Sequence, residues 1–138
     1  MQKKFENKLE IYDNENNLLA LKLCINSQEN PKEFHTSAEQ SIQLGTFNLT
    51  SGEKLERHIH LKNERKINTT SEVILVTKGI LLVEIFDIDK VFVSKLKIKA
   101  GELILFLQGG HSFEVLENVK FIEIKQGPYV EGLDKEKF

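Results

Sequence analysis

Tryptophan is absent from this chain, cysteine and methionine occur once each, and only two of nineteen basic residues are arginine. A lone cysteine, Cys24, excludes an internal disulfide and fits a reducing compartment. It lies in the apolar run 18–25, where a free thiol packs as a small, inert hydrophobe. Neither sign of charge is in large excess. The net charge of −2 gives no argument for nucleic acid or for an anionic membrane as partner. No apolar run reaches the length of a bilayer, because the longest, residues 73–86, is interrupted by Lys78 and Glu84. The first eight residues lack the apolar core of a secretory signal, so a cytoplasmic location is expected. Gly109-Gly110 is followed by neither Lys-Ser/Thr nor a helix, which excludes a phosphate loop. No Ser-His-Asp or Cys-His nucleophile can be assembled.

What is present is a series of short apolar or alternating runs divided by glycine and Asn/Asp turns, the pattern of an all-β domain. Residues 8–12 and 18–25 form a hairpin around 13–17. Residues 26–40 are polar and contain Pro31, so they form a loop or a short helical turn. Strands are predicted at 41–49 and 55–60, and a polar loop at 61–71. Residues 72–77 and 80–87 flank Lys78-Gly79 as a hairpin, and 91–98 pairs back after a turn at 87–90. Residues 103–107 follow the Ala100-Gly101 turn, and 112–116 and 119–126 form the last hairpin across Glu117-Asn118. The length suits one domain with its own core, and about ten strands without a long helix imply a sandwich or barrel.

Three of the four histidines fall in two glycine-framed segments. His58-Ile59-His60 follows Gly52, and His111 follows Gly109-Gly110. On a strand, alternate side chains share a face about 7 Å apart, so His58 and His60 can hold one metal ion and a neighbouring strand can add His111. The same parity puts Glu56 with the histidines and turns Arg57 and Ile59 away. Phe121, Glu123 and Lys125 share one face of the last strand. Burying two charges there is costly unless they meet each other or a polar pocket, so that face is either solvent or site. His35, in the polar loop, is expected to be solvated.

The pattern Gly52, His58, His60, then Glu72 and Gly79, resembles the first motif of the cupin superfamily. Gly101 followed by Leu107-Gln108-Gly109-Gly110-His111 resembles the second. The resemblance implies a cupin jelly-roll barrel over residues 41–126, with an N-terminal hairpin and loop at 1–40 and a tail at 127–138. It implies one divalent metal, Fe, Mn, Zn, Ni, Co or Cu, bound by His58, His60, Glu72 and His111. Glu64 stands at the usual spacing for the carboxylate, but only Glu72 has a glycine seven residues on and begins a strand. The second motif departs from the pattern at Leu107 and Val115. Gln43-Leu44-Gly45, Thr70-Ser71-Glu72-Val73 and Glu123-Ile124-Lys125-Gln126-Gly127-Pro128-Tyr129 are similar to small single-domain cupins encoded with bacterial surface-polysaccharide and sugar-nucleotide genes.

The expected function is that of a metal-dependent enzyme, an oxygenase or an isomerase or epimerase, acting on a small hydroxylated or anionic metabolite related to carbohydrate. Glu123, Lys125 and Tyr129 are the acid–base candidates. Gln43, Arg65 and Lys125 are the substrate-binding candidates. Arg65 is the sharper of the two arginines, since lysine is this chain's default cation and a planar fork suits a carboxylate or phosphate. Arg57 is expected on an outer face. Two alternatives stand beside this reading: a metal-independent sugar-nucleotide isomerase, and a non-catalytic binding or sensing module. A homodimer is expected, because Val73, Leu75, Ile122 and Ile124 can leave an apolar outer face and edge strands invite pairing.

Overall fold

The computed structural model describes residues 1–138 and contains nine strands: β1 (Gln2–Lys4), β2 (Lys8–Tyr12), β3 (Leu18–Cys24), β4 (Lys32–Phe34), β5 (Gly45–Phe47), β6 (Glu72–Phe86), β7 (Phe92–Lys99), β8 (Glu102–Phe106) and β9 (Gly110–Lys125). The only helical element is a 3-10 turn at Ile25–Ser27, and no helix is long and apolar enough to cross a membrane. The expectation of an all-β chain is met. The chain divides into two compact units, residues 1–27 with 69–138, and residues 28–68.

The larger unit is one antiparallel sheet in the order β1-β2-β3-β8-β6-β7, with β9 paired along β6. The β2–β3 hairpin closes through Asp13, whose carboxylate accepts from the backbone N–H of Glu15 and Asn17 and from the Asn17 amide. Asp87 caps the β6–β7 turn in the same way, accepting from the N–H of Asp89 and Val91. In both turns a short carboxylate replaces the missing ladder bonds.

Two predicted hairpins are instead continuous strands. Lys78-Gly79 lies inside β6 and Glu117-Asn118 inside β9, and the two irregular places oppose one another with shifted register. A regular strand through Lys78-Gly79 would send Lys78, Glu84 and Ile74 to one face. The irregularity resets the phase, so that Ile74 and Val76 before it and Leu81, Val83 and Ile85 after it are all buried while Lys78 stays exposed. Gly79 has φ +76°, and a Cβ there would collide with the Asn118 carbonyl oxygen.

This corner folds the β6–β9 ribbon back on itself. Glu72 and Ile85 would stand about 43 Å apart along a straight strand at ~3.3 Å per residue. Yet His111, the register partner of Ile85, has Nε2 3.6 Å from Glu72 Oε2. The core fills the fold: Ile74 and Val76 from one half, Leu81, Val83 and Ile85 from the other, with Ile11, Ala20, Ile98, Ile104 and Phe106.

The smaller unit is the antiparallel β4–β5 pair and the chain after it. Here His35 departs from expectation. It is buried, with Nε2 2.9 Å from Thr46 Oγ1 and Nδ1 3.5 Å from the Glu33 carboxylate. The short strand pair folds over its ring and supplies polar partners, which makes a buried imidazole stable. The strand predicted at 41–49 shrinks to Gly45–Phe47, and that predicted at 55–60 does not form. Residues 51–70 are exposed and belong to no strand ladder.

Candidate functional site

The ends of four segments converge where the folded ribbon closes. The first residue of β6, Glu72, lies in register between Phe106, the last residue of β8, and Lys125, the last of β9. One step along, Ile74 pairs with Glu123. Directly opposed residues of antiparallel strands share a face, so Glu72, Phe106, Glu123 and Lys125 all point toward the same side. The parity expected for Phe121, Glu123 and Lys125 therefore holds, and their face carries Glu72.

His111 enters from the turn after β8. Gly109, at φ +79°, leaves no room for a Cβ against the Phe86 carbonyl oxygen, so a side chain there would push the turn off the sheet. The His111 ring stacks on Phe106 with centroids 4.0 Å apart and planes at 15°, and Phe113 packs beside both. Phe121 continues this aromatic floor from Phe113 and stays partly open.

The electrostatics of the group favour neutral forms at its centre. Burial raises the Glu72 pKa, and the neighbouring Glu123 adds to the rise by repulsion and by a side-chain hydrogen bond. Lys125 and Lys135 oppose this without overcoming it. Burial lowers the His111 pKa, against the pull of Glu123. The 3.6 Å separation of His111 and Glu72 has the geometry of an ion pair, but these directions favour a neutral pair. Lys125 is held charged by its 3.3 Å contact with Glu123, and its ammonium stands 5.6 Å over the Tyr129 ring.

A metal is compatible with two of these donors. A carboxylate oxygen and an imidazole nitrogen on one tetrahedral ion, each about 2.0–2.2 Å from it, stand roughly 3.4 Å apart. Glu72 Oε2 and His111 Nε2 are 3.6 Å apart, and the imidazole favours the neutral, ligating form. The other two predicted ligands lie in the smaller unit. His58 and His60 are exposed there, with ring centroids 5.3 Å apart and planes at 85°, and His58 Nδ1 lies 3.0 Å from the Glu56 carbonyl. Nowhere are three or more His, Cys, Asp or Glu side chains grouped to hold a metal ion. Glu64 is likewise exposed in the smaller unit.

Gln43 donates to the Ser37 and Gln40 carbonyls and so closes its own loop. Arg57 and Arg65 are exposed in the smaller unit. Tyr129 is exposed beneath Lys125. Sequence alone does not assemble the aromatic floor of Phe106, Phe113 and Phe121. Its signal was present, since Phe113 and Phe121 share odd parity with His111 and Glu123 on the strand that carries all four.

No family model matches the chain, and no curated protein or solved structure matches it.

Proposed function

We propose that this protein is a cupin-type metalloprotein and a metal-dependent enzyme for a small hydroxylated or anionic, carbohydrate-related metabolite. One observation carries the reading: Glu72 Oε2 and His111 Nε2 stand 3.6 Å apart where the folded ribbon closes, beside Glu123 and Lys125. The proposed ligands are His58, His60, Glu72 and His111, the last two already side by side. A metal bound there supplies Lewis-acid polarisation of a substrate oxygen. Phe113 and Phe121 offer a flat apolar wall for a sugar-like ring. Glu123 is the group that takes or returns a proton at the substrate, and the Lys125 ammonium stands 3.3 Å from it. Arg65 is reserved for the anionic end of the ligand.

The test is elemental analysis of protein purified without a histidine tag, followed by the same measurement on Glu72→Gln and His111→Ala. The expected result is close to one divalent transition metal per chain, with occupancy falling at least tenfold in both variants. Stoichiometric metal in both variants would remove the assignment. A second reading draws on Glu72, whose pKa is raised by burial and by the neighbouring Glu123, beside His111, whose pKa burial lowers, an acid–base set in its own right that suits a metal-independent isomerase. Full turnover of a sugar nucleotide after chelation would favour that reading.

A further inference from the structure

The chain carries two unsatisfied features that match each other. The first is Leu55-Glu56-Arg57-His58-Ile59-His60-Leu61, which has the alternation of a strand but joins no ladder. Leu55, Ile59 and Leu61 are 68, 81 and 78% exposed. The second is β9, a strand of sixteen residues that pairs only with β6 and leaves its other edge open. A long open edge of this kind is a template for another strand, and soluble proteins normally blunt or cover it.

The faces of the two match. On β9, His111 and Glu123 lie on the face of Glu72, whereas Ile122 and Ile124 lie on the opposite face and are 51 and 58% exposed. The segment sorts likewise, with Glu56, His58 and His60 on one side and Leu55, Ile59 and Leu61, together with Arg57, on the other. Laid along residues 119–125 of β9, its histidines fall on the face of Glu123 and Glu72, and its apolar side chains join Ile122 and Ile124. Neighbouring strands stand ~4.8 Å apart, so that histidine row lies beside Glu123 and two spacings, ~9.6 Å, from the strand of Glu72, whose face His111 reaches from the other half of the ribbon.

We infer that residues 55–61 of one copy add as a strand to β9 of a second copy, so that the partner subunit's His58 and the partner subunit's His60 complete the site begun by Glu72 and His111. Each chain holds both the strand and the edge, so a two-fold pair satisfies both features twice with one set of contacts. The residues between β5 and β6, without secondary structure, provide the slack that exchange requires. The completed site rests on the metal reading above, whereas the exchange of strands stands on pairing and exposure.

The experiment mixes unlabelled and 15N-labelled protein, unfolds and refolds the mixture, and cross-links its lysines. Lys54 and Lys62 flank the segment, and Lys120 and Lys125 lie on β9. The expected result is a sedimentation mass of two chains and cross-links from Lys54 or Lys62 to Lys120 or Lys125, about half of them joining a light peptide to a heavy one. Ile59→Asp combined with Leu61→Asp is expected to weaken association at least tenfold while the strand circular-dichroism signal persists. A one-chain mass, same-label cross-links alone, or a dimer lacking these cross-links would overturn the exchange. A dimer with mixed-label cross-links and no metal keeps the exchange and removes the metal reading, so the two fail separately.

Discussion

Glu10 shows how far a single side chain is held by its partners. It is nearly buried in β2, its carboxylate 2.8 Å from Lys8 Nζ and 2.6 Å from the Tyr12 hydroxyl, which donates to it. Burial alone would raise its pKa, but the hydrogen bonds from Lys8 and Tyr12 and the Lys8 charge leave it below the ordinary value of 4.5. The same contacts push Tyr12 up to about 12, burial first and Glu10 second. A carboxylate with a depressed folded pKa contributes stability that is present above its unfolded value and lost as pH falls through the folded one. Acid unfolding should therefore steepen below about pH 4.5, and Glu10→Gln should flatten that limb. At neutral pH the variant should lose roughly 1.5–3 kcal/mol, the worth of hydrogen bonds to a charged group. Urea titrations from pH 3 to pH 7 check both. Equal slopes for the two proteins across the acid range would show that Glu10 does not set acid stability.

The elements turn on two glycines whose surroundings differ. Gly79 and Gly101 both have positive φ, +76° and +83°. At Gly79 a Cβ meets the Asn118 backbone, whereas at Gly101 the nearest atom is Asn26 Nδ2, 3.5 Å away. Gly101→Ala should therefore cost only the strained conformation, roughly 1–2 kcal/mol. Gly79→Ala must also displace β9, and its loss in chemical denaturation should be clearly the larger. Matching losses would mean that the paired irregularities do not fix the bend. Most strands were legible because their period of two and their Asn/Asp turns are local signals. The continuity of β6 and β9 was not, since Lys78-Gly79 and Glu117-Asn118 look like hairpin turns until each is seen opposite the other.

On the scale of the whole molecule, the two halves of the folded ribbon meet through Ile74, Val76, Leu81, Val83 and Ile85. Leu81 is 1% exposed, and Leu81→Ala should cost about 2–5 kcal/mol as a cavity in a shared core, measurable by urea unfolding. A loss below 1 kcal/mol would show that the halves fold independently. This packing also brings Glu72 and His111 together.

The sequence by itself determined the all-β class, the hairpin at the start of the chain, and the face shared by Phe121, Glu123 and Lys125. These follow from alternation and turn chemistry, both readable within a few positions. Tertiary structure alone decided that His35 is buried, that the ribbon bends at Gly79, and that Glu72 meets His111 with its pKa raised beside Glu123. It also left residues 55–61 without the strand partner that their alternation implies. Alternation specifies which side chains share a face, but the partner for a strand's backbone is chosen by long-range packing, which local sequence does not encode.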